Sequence, residues 1–202
     1  MVIKSDKSGT LLLVRHGQTR ANIDQVWHGV TDTPLTDEGR IQAQRMGKYV
    51  LSNYSAPTVV YASQLRRALD TASQITSDVI SDQRLQEMDN GEWEGTDFKF
   101  LQGEHNFFKR FSMEESFRAP GGESRSCVLK RMLTALTEIA EKHRGETVVV
   151  VSHGIAISVT LAHLQLGNSS EWMQYNPSNT GISVLNMPDF KMLKFNSTKH
   201  LD

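Results

Sequence analysis

The sequence has very little cysteine and lacks any long hydrophobic run. Its single cysteine, Cys127, has no partner for an intrachain disulfide, which favours a reducing compartment. The first segment, MVIKSDKSGTLLLV, offers only four consecutive apolar residues before Arg15. That run is too short for the core of a signal peptide or for a membrane span. We therefore expect a cytoplasmic protein with no membrane partner.

The sequence also lacks an excess of charge of either sign. Lysine plus arginine number 22 and aspartate plus glutamate number 23, so the formal net charge is −1. Such a chain has no overall basic field to attract nucleic acid, although a local cluster of arginines still binds a small anion. The length of 202 residues suits a single domain over residues 1–202. Composition leaves the oligomeric state open, including a homodimer.

Four short segments are apolar and rich in β-branched residues, and they predict strands at 11–14, 58–61, 147–151 and 182–185. The first three are nearly continuous apolar runs, which is typical of strands buried on both faces of a parallel sheet. Segments with helical spacing lie at 36–51, 63–75, 128–140 and 155–166. We expect Thr36 and Ser63 to cap the first two of these helices. The buried face of the first helix is predicted to hold Ala43, Met46, Gly47, Val50 and Leu51.

This alternation of strands and helices predicts an α/β fold with three layers, α/β/α, around a mostly parallel central sheet. The tail, GISVLNM followed by Pro188-Asp189 and FKMLKF, is typical of a hairpin, so we expect one antiparallel edge strand. Residues 97–124 break the alternation, and their six phenylalanines predict a helical insert packed over the sheet edge. These phenylalanines either shape a pocket that accepts apolar leaving groups or pack in the core.

Polar groups follow three of the predicted strands at the points where the strands end. They are Arg15 and His16, Arg66 and Arg67, and His153 and Gly154. Because ligands of open α/β sheets bind beyond the carboxyl ends of the strands, we expect these groups to share one crevice. Arginines and imidazoles together suit a phosphate dianion. Histidine is the good nucleophile among them near neutral pH, so we predict that His16 attacks phosphorus while the others bind its oxygens.

A leaving alkoxide needs a proton, and the segment LQEMDNGEWEG, which follows a further short predicted strand, offers candidate carboxyl groups. We predict Glu87 as the general acid, because Met88 and Trp93 are expected to desolvate its carboxyl group and keep it protonated. Glu92 and Glu94 flank the same tryptophan and remain rivals for this role.

Other chemistries find little support. The sequence has no G-x-x-x-x-G-K-[ST] phosphate loop and no G-x-S-x-G motif, and no arginine stands six residues after Cys127. We therefore expect no metal and no cofactor. The remaining histidines show no metal-ligand spacing with one another, and we expect surface or packing roles for all of them except His28. They are His28, His105, His143, His163 and His200.

The stretch VRHGQTRAN resembles the signature of the histidine phosphatase superfamily, the phosphoglycerate mutase-like proteins. The resemblance continues through WHGVTDTPLTDEGRIQA, YASQLRRALDTA, LQEMDNGEWEG, APGGES and VVVVSHG, in the family's order. It implies that His16 becomes phosphorylated, that Glu87 is the acid and that His153 is the second histidine. The residues it assigns to phosphate are Arg15, Asn22, Arg67, His153 and Gly154, with Arg67 preferred over Arg66. It also places His28 and Gly29 against the substrate.

Within that family the sequence favours the phosphatases. The insert is shorter than the arginine-rich insert of the mutases, and GEWEG and PGGES resemble the phosphatase branch. The resemblance therefore implies a phosphomonoesterase that hydrolyses small phosphorylated metabolites through a phosphohistidine intermediate. Two alternatives stay open: a cofactor-dependent phosphoglycerate mutase, and a non-catalytic phosphate-binding or protein-interaction module on the same fold.

Overall fold

A six-stranded sheet organises the fold in a computed structural model, which describes residues 8–54 and 59–202. A separate two-stranded ribbon lies beside it. In chain order the strands of both are β1 (Gly9–Arg15), β2 (Val26–Trp27), β3 (Val59–Ala62), β4 (Val79–Ser81), β5 (Thr96–Asp97), β6 (Thr147–Ser152), β7 (Ile182–Met187) and β8 (Met192–Ser197). The large sheet has the order β4-β3-β6-β1-β7-β8, and β2 pairs with β5.

The directions of these strands confirm the predicted mixed sheet. Strands β1, β3, β4 and β6 are parallel to one another, and β7 pairs antiparallel with β1. Strand β8 pairs antiparallel with β7, so the C-terminal hairpin forms one edge of the sheet. Of the predicted second strand, Thr58 lies outside the described residues.

The centre of the sheet is buried on both faces, as the continuous apolar runs predicted. All the side chains of residues 11–14 and 148–151 have 0% exposure. Successive residues alternate between the two faces, so Leu11 and Leu13 belong to one apolar cluster, and Leu12 and Val14 to the other.

Helices cover both faces and complete the three layers. In chain order they are α1 (Arg20–Asp24), α2 (Asp37–Asn53), α3 (Arg66–Ala72), α4 (Phe98–His105), α5 (Phe107–Met113), α6 (Arg125–Lys142) and α7 (Gly154–Leu166). Apolar residues of α2 and α3 join the cluster that contains Leu12, whereas those of α6 and α7 join the cluster that contains Leu11. Short 3₁₀ segments lie at Gln83–Leu85, Gly91–Trp93 and Ser169–Tyr175.

Two local expectations need correction. Helix α3 begins after Leu65, which occupies the cap position, and the Ser63 hydroxyl accepts a hydrogen bond from the Leu65 N–H instead of capping the helix itself. Leu51 is 50% exposed, because α2 ends soon after it and only the earlier apolar residues face the sheet. The Thr36 cap is confirmed, since its hydroxyl accepts from the Gly39 N–H at 2.9 Å.

The insert is helical and forms α4 and α5. Its phenylalanines divide between the two expected uses. Phe107, Phe111 and Phe117 are buried in the core, whereas Phe98 and Phe108 line a cavity beyond the carboxyl ends of the strands. Helix α5 packs against the Ser169–Tyr175 segment. The insert therefore lies over the carboxyl ends of the strands.

Candidate active site

A cavity of about 630 Å³ opens beyond the carboxyl ends of β1, β3 and β6. A residue that follows each of these strands lines the cavity: His16 after β1, Arg67 in the helix after β3, and Gly154 after β6. The cavity thus forms where the topology of a parallel sheet brings distant parts of the chain together.

His16 presents one ring nitrogen to the cavity. Its Nδ1–H donates to the carbonyl oxygen of Gly17 at 2.7 Å, so in the neutral ring the lone pair lies on Nε2. Burial lowers the pKa of His16 well below its usual 6.5, and the nearby charges of Arg67 and Arg15 lower it further. The neutral imidazole that results is the nucleophilic form.

The backbone around His16 is held from several sides. The His16 N–H donates to the Ser152 carbonyl at 3.0 Å, and the Asn179 side chain donates to the His16 carbonyl at 3.1 Å. The next N–H along the chain, that of Gly17, donates to the Thr71 hydroxyl at 3.0 Å. These bonds tie the end of β1 to β6, to α3 and to the loop before β7.

Arg67 connects the second histidine to a neighbouring loop. Its Nε donates to Nδ1 of His153 at 3.3 Å, and its two terminal nitrogens donate to the carbonyls of Thr31 and Gly29 at 2.8 and 2.6 Å. Because Nδ1 of His153 accepts a bond, its proton is on Nε2 in the neutral ring. Burial lowers the pKa of His153 well below 6.5, with Arg67 and His16 adding to the shift.

Several buried polar atoms around the cavity have no hydrogen-bond partner among the described residues. They include Nε of Arg15, Nε2 of His153, Nδ1 of His28 and Oγ1 of Thr33. A terminal nitrogen of Arg15 already donates to the Pro177 carbonyl at 2.7 Å, which fixes the side chain. Unsatisfied buried donors are costly unless a ligand accepts from them. Together with the charges of Arg15 and Arg67 in the same lining, these donors indicate an anionic ligand.

The Glu87 carboxylate is only 7% exposed and lines the same cavity. Its oxygens accept from the backbone N–H groups of Met88, Ile155 and Ala156 at 2.9 to 3.0 Å. The sequence predicted desolvation of this carboxyl group but not its three polar partners. Met88 contributes a backbone donor, the first turn of α7 contributes two more, and the Trp93 ring stacks on His105 instead, with ring centroids 4.5 Å apart.

Comparison with known proteins identifies the family. The sequence model of the histidine phosphatase superfamily (branch 1) matches residues 11–196, nearly the whole chain. The chain belongs to the histidine phosphatase superfamily. It is 30% identical to phosphoserine phosphatase 1 of Hydrogenobacter thermophilus over 199 residues, which cover 95% of this chain and 93% of that protein. It is 36% identical to phosphoglycerate mutase-like protein 4 of Arabidopsis thaliana over 152 residues, which cover 71% of this chain and 66% of that protein.

Solved structures show the same fold. The structure of phosphoserine phosphatase from Entamoeba histolytica in complex with 3-phosphoglyceric acid superposes with a TM-score of 0.85 at 30% identity. The match covers 96% of this chain and 100% of that one. This histidine phosphatase therefore has both phosphatases and mutase-like proteins among its relatives.

The structure brings most of the predicted site residues of this histidine phosphatase to one place. Seven of them line the cavity: Arg15, His16, Asn22, His28, Arg67, Glu87 and Gly154. The centroid of the His153 ring lies 5.1 Å from that of the His16 ring. The Asn22 oxygen accepts from the Thr19 N–H and hydroxyl and from Asn179, which leaves its amide nitrogen to donate to a ligand.

Three predicted positions lie outside the cavity lining: the buried His153, Gly29 and Arg66. Arg66 is at the surface, where it pairs with Asp70 at 3.4 Å. The backbone of Gly29 connects two other groups, since its N–H donates to Glu94 and its carbonyl accepts from Arg67. A side chain at this glycine would meet the Met88 carbonyl oxygen at 1.9 Å, so the close approach of the two backbones requires glycine.

The rivals of Glu87 are placed differently. Glu92 is exposed. The Glu94 carboxylate accepts from the N–H groups of Gly29, Val30, Thr31 and Asn90 and from the Thr31 hydroxyl. Glu94 therefore anchors the loop whose carbonyls hold Arg67.

Sequence reasoning missed several residues of the site. Asn179 and Thr71 support His16, and Trp27 and Trp172 line the cavity. Asn179 lies three positions before the strand predicted at 182–185, and this position near the start of a strand was the available signal for it. Nothing in the sequence pattern alone placed Trp172 near His16, because 156 positions separate them and the Ser169–Tyr175 segment has no strand-end position.

Neither a metal-ligating cluster nor a membrane-spanning helix occurs within residues 8–54 and 59–202. No three His, Cys, Asp or Glu side chains there come close enough to share a metal ion. In the same part of the chain, no helix has both the length and the apolar character that a membrane crossing requires.

Proposed function

We propose that this protein is a phosphomonoesterase that hydrolyses small phosphorylated metabolites through a phosphohistidine at His16. The observation that carries the proposal is the neutral His16 ring, whose Nδ1–H is bound to Gly17 while Nε2 stays free beside Arg15 and Arg67. The phosphatases among its relatives support the same reaction class.

In the first half-reaction, Nε2 of His16 attacks phosphorus and the bond from phosphorus to the alcohol oxygen breaks. The equatorial oxygens accept from Nε of Arg15, from Nε2–H of His153 and from the remaining donors of Arg67. The departing oxygen takes its proton from Glu87, which is the carboxylic acid that lines the cavity.

In the second half-reaction, water attacks the phosphorus of phosphohistidine and the nitrogen–phosphorus bond breaks. The Glu87 carboxylate, left ionised by the first step, accepts a proton from that water. Inorganic phosphate leaves and His16 returns to its neutral form with the lone pair on Nε2.

Arginine and histidine supply the positive charge in this scheme, so the reaction is expected to proceed without a metal ion. Chelator should leave the rate unchanged, and a large loss that Mg²⁺ restores would contradict the scheme. We also propose that residues 1–202 form a single cytoplasmic domain, which the lone cysteine and the balanced charge support.

A mutase is the second candidate, because the relative from Arabidopsis thaliana is named for that activity. A mutase returns the phosphoryl group to the substrate, whereas a phosphatase transfers it to water. The two differ in product, so incubation with 3-phosphoglycerate separates them: a phosphatase releases inorganic phosphate, and a mutase forms the 2-phospho isomer.

Para-nitrophenyl phosphate tests whether the site is catalytic at all. We expect nitrophenolate and phosphate in equal amounts, and we expect the His16→Ala variant to lose both. Tight binding of phosphate without turnover would instead indicate the non-catalytic module.

A further inference from the structure

Four aromatic side chains line one part of the cavity. They are Trp27, Phe98, Phe108 and Trp172. Trp27 stacks on Phe98 with ring centroids 5.0 Å apart, Phe98 meets Phe108 at 4.7 Å, and Phe108 stacks on Trp172 at 6.0 Å. We call these four side chains the aromatic wall.

A second layer of rings holds the aromatic wall in place. Phe107 packs edge-on against Trp27 at 4.4 Å, and Phe111 packs edge-on against Trp172 at 5.4 Å. The indole N–H of Trp172 donates to the Ser112 hydroxyl at 3.1 Å. The wall is therefore formed before any ligand binds, which lowers the entropic cost of binding an apolar group there.

Charge at the cavity is confined to the phosphate end. The described residues that line the cavity include two arginines, Arg15 and Arg67, and no lysine. Both arginines are assigned to the phosphate group. No such cation remains in the described lining to pair with a carboxylate on the leaving group.

We infer that the aromatic wall selects phosphomonoesters of uncharged alcohols that carry an aromatic ring, which deepens the proposed function and rests on it. Rings gain from offset stacking and edge-on contacts with such a wall, in addition to the area they bury. A carboxylated alcohol, such as serine or glycerate, loses its hydration there and finds no cation in return. The preference therefore differs from the substrates named for the phosphoserine phosphatase relatives.

The test compares three esters whose leaving groups are all primary alcohols: 2-phenylethyl phosphate, phosphoserine and 3-phosphoglycerate. All three primary alkoxides need a proton when they leave. The chemical step therefore does not explain a higher kcat/KM for the phenylethyl ester. We expect kcat/KM for the phenylethyl ester to exceed that for either carboxylated ester by about tenfold or more, the scale of pocket discrimination.

Helix α4 supplies a matched pair of variants. Phe98 is 37% exposed and lines the cavity, whereas Phe100, two positions later, is 53% exposed and does not line it. Phe98→Ala should lower kcat/KM for the phenylethyl ester by about tenfold and change phosphoserine hydrolysis little, since only the ring contact is lost. Phe100→Ala should change neither ester. Thermal denaturation of both variants checks that the fold is intact.

A binding measurement gives a readout that does not depend on turnover. Titration with 2-phenylethylphosphonate should change the tryptophan fluorescence at lower concentration than 3-phosphonopropanoate does, because Trp27 and Trp172 belong to the wall. The inference is overturned by a higher kcat/KM for phosphoserine or 3-phosphoglycerate, or by an equal loss on all esters in Phe98→Ala. Release of phosphate from none of the esters, para-nitrophenyl phosphate included, would overturn the proposed function itself and the inference with it.

Discussion

Arg67 donates from Nε to Nδ1 of His153 across 3.3 Å, and this bond joins the helix after β3 to the turn after β6. It leaves Nε2 of His153 as the protonated nitrogen, and that nitrogen has no partner among the residues that the structure describes. One arginine thus sets the tautomer of a histidine as well as contributing charge.

Arg67→Lys should lower kcat by about 10² to 10³, the usual loss on removing a preorganised donor at such a site. A lysine has the charge but lacks the planar fork that reaches His153 and the carbonyls of Gly29 and Thr31 together. Steady-state kinetics measure the loss. Arg66→Lys is the control, because the Arg66 side chain lies at the surface and pairs there with Asp70, and an equal loss in this variant would contradict the assignment.

Glu94→Gln should destabilise the loop that holds Arg67. Five donors converge on this carboxylate, and hydrogen bonds to a charged group contribute about 1.5–3 kcal/mol each. We expect a lower midpoint of urea unfolding and a fall in kcat/KM of about tenfold, since small misplacements of charged groups reduce rates strongly.

Glu92→Gln is the matched control for this loop, because Glu92 lies two positions away and is exposed. It should change neither the midpoint nor the kinetics. A Glu94→Gln protein with unchanged stability and rate would show that the loop does not depend on the carboxylate.

The two active-site histidines should stay neutral at mildly acidic pH. Burial lowers the pKa of both His16 and His153 below 6.5. The unfolded chain then binds more protons than the folded one, so stability is fully present above pH 6.5 and falls as the pH drops below it. The slope is at most about 1.4 kcal/mol per pH unit for each ring.

Nitrogen-15 spectra of the histidine rings measure this directly. At pH 6 we expect a neutral ring with the proton on Nδ1 for His16 and on Nε2 for His153, as their hydrogen bonds require. An imidazolium signal from either residue at that pH would refute the assignment.

Glu87 should matter in proportion to the basicity of the leaving group. Alkyl phosphates leave as strongly basic alkoxides, whereas para-nitrophenolate departs without a proton. In single-turnover experiments, Glu87→Gln should slow phosphorylation by an alkyl phosphate about 10²–10⁴-fold and by the nitrophenyl ester far less. Equal losses on both would mean that Glu87 serves only to cap the first turn of α7.

Much of this architecture was predictable because buried strands leave a strong signal. The runs at 11–14 and 148–151 are apolar at every position, and His16 and His153, which follow shortly after them, therefore belong at the same sheet edge. The surroundings of Glu87 were not predictable in this way. Its partners include the backbone N–H groups of Ile155 and Ala156, which lie 68 and 69 positions away. The type of side chain at a position does not reveal which acceptor the backbone N–H group will bind.

The insert shows the same limit. Its phenylalanines predicted helices with apolar faces, but the sequence alone does not divide Phe107, which is buried, from Phe108, which lines the cavity. That division depends on how α5 packs against Ser169–Tyr175, a contact between segments far apart in the chain.

Trapping the phosphorylated enzyme tests the central claim most directly. Rapid mixing with radiolabelled substrate is followed by quenching in alkali or in acid, and the labelled protein is then counted. A phosphohistidine survives alkali and is lost in acid, so we expect label at His16 after the alkaline quench, little after the acid quench, and none in His16→Ala. Label that persists through acid, or that remains in His16→Ala, would contradict the account.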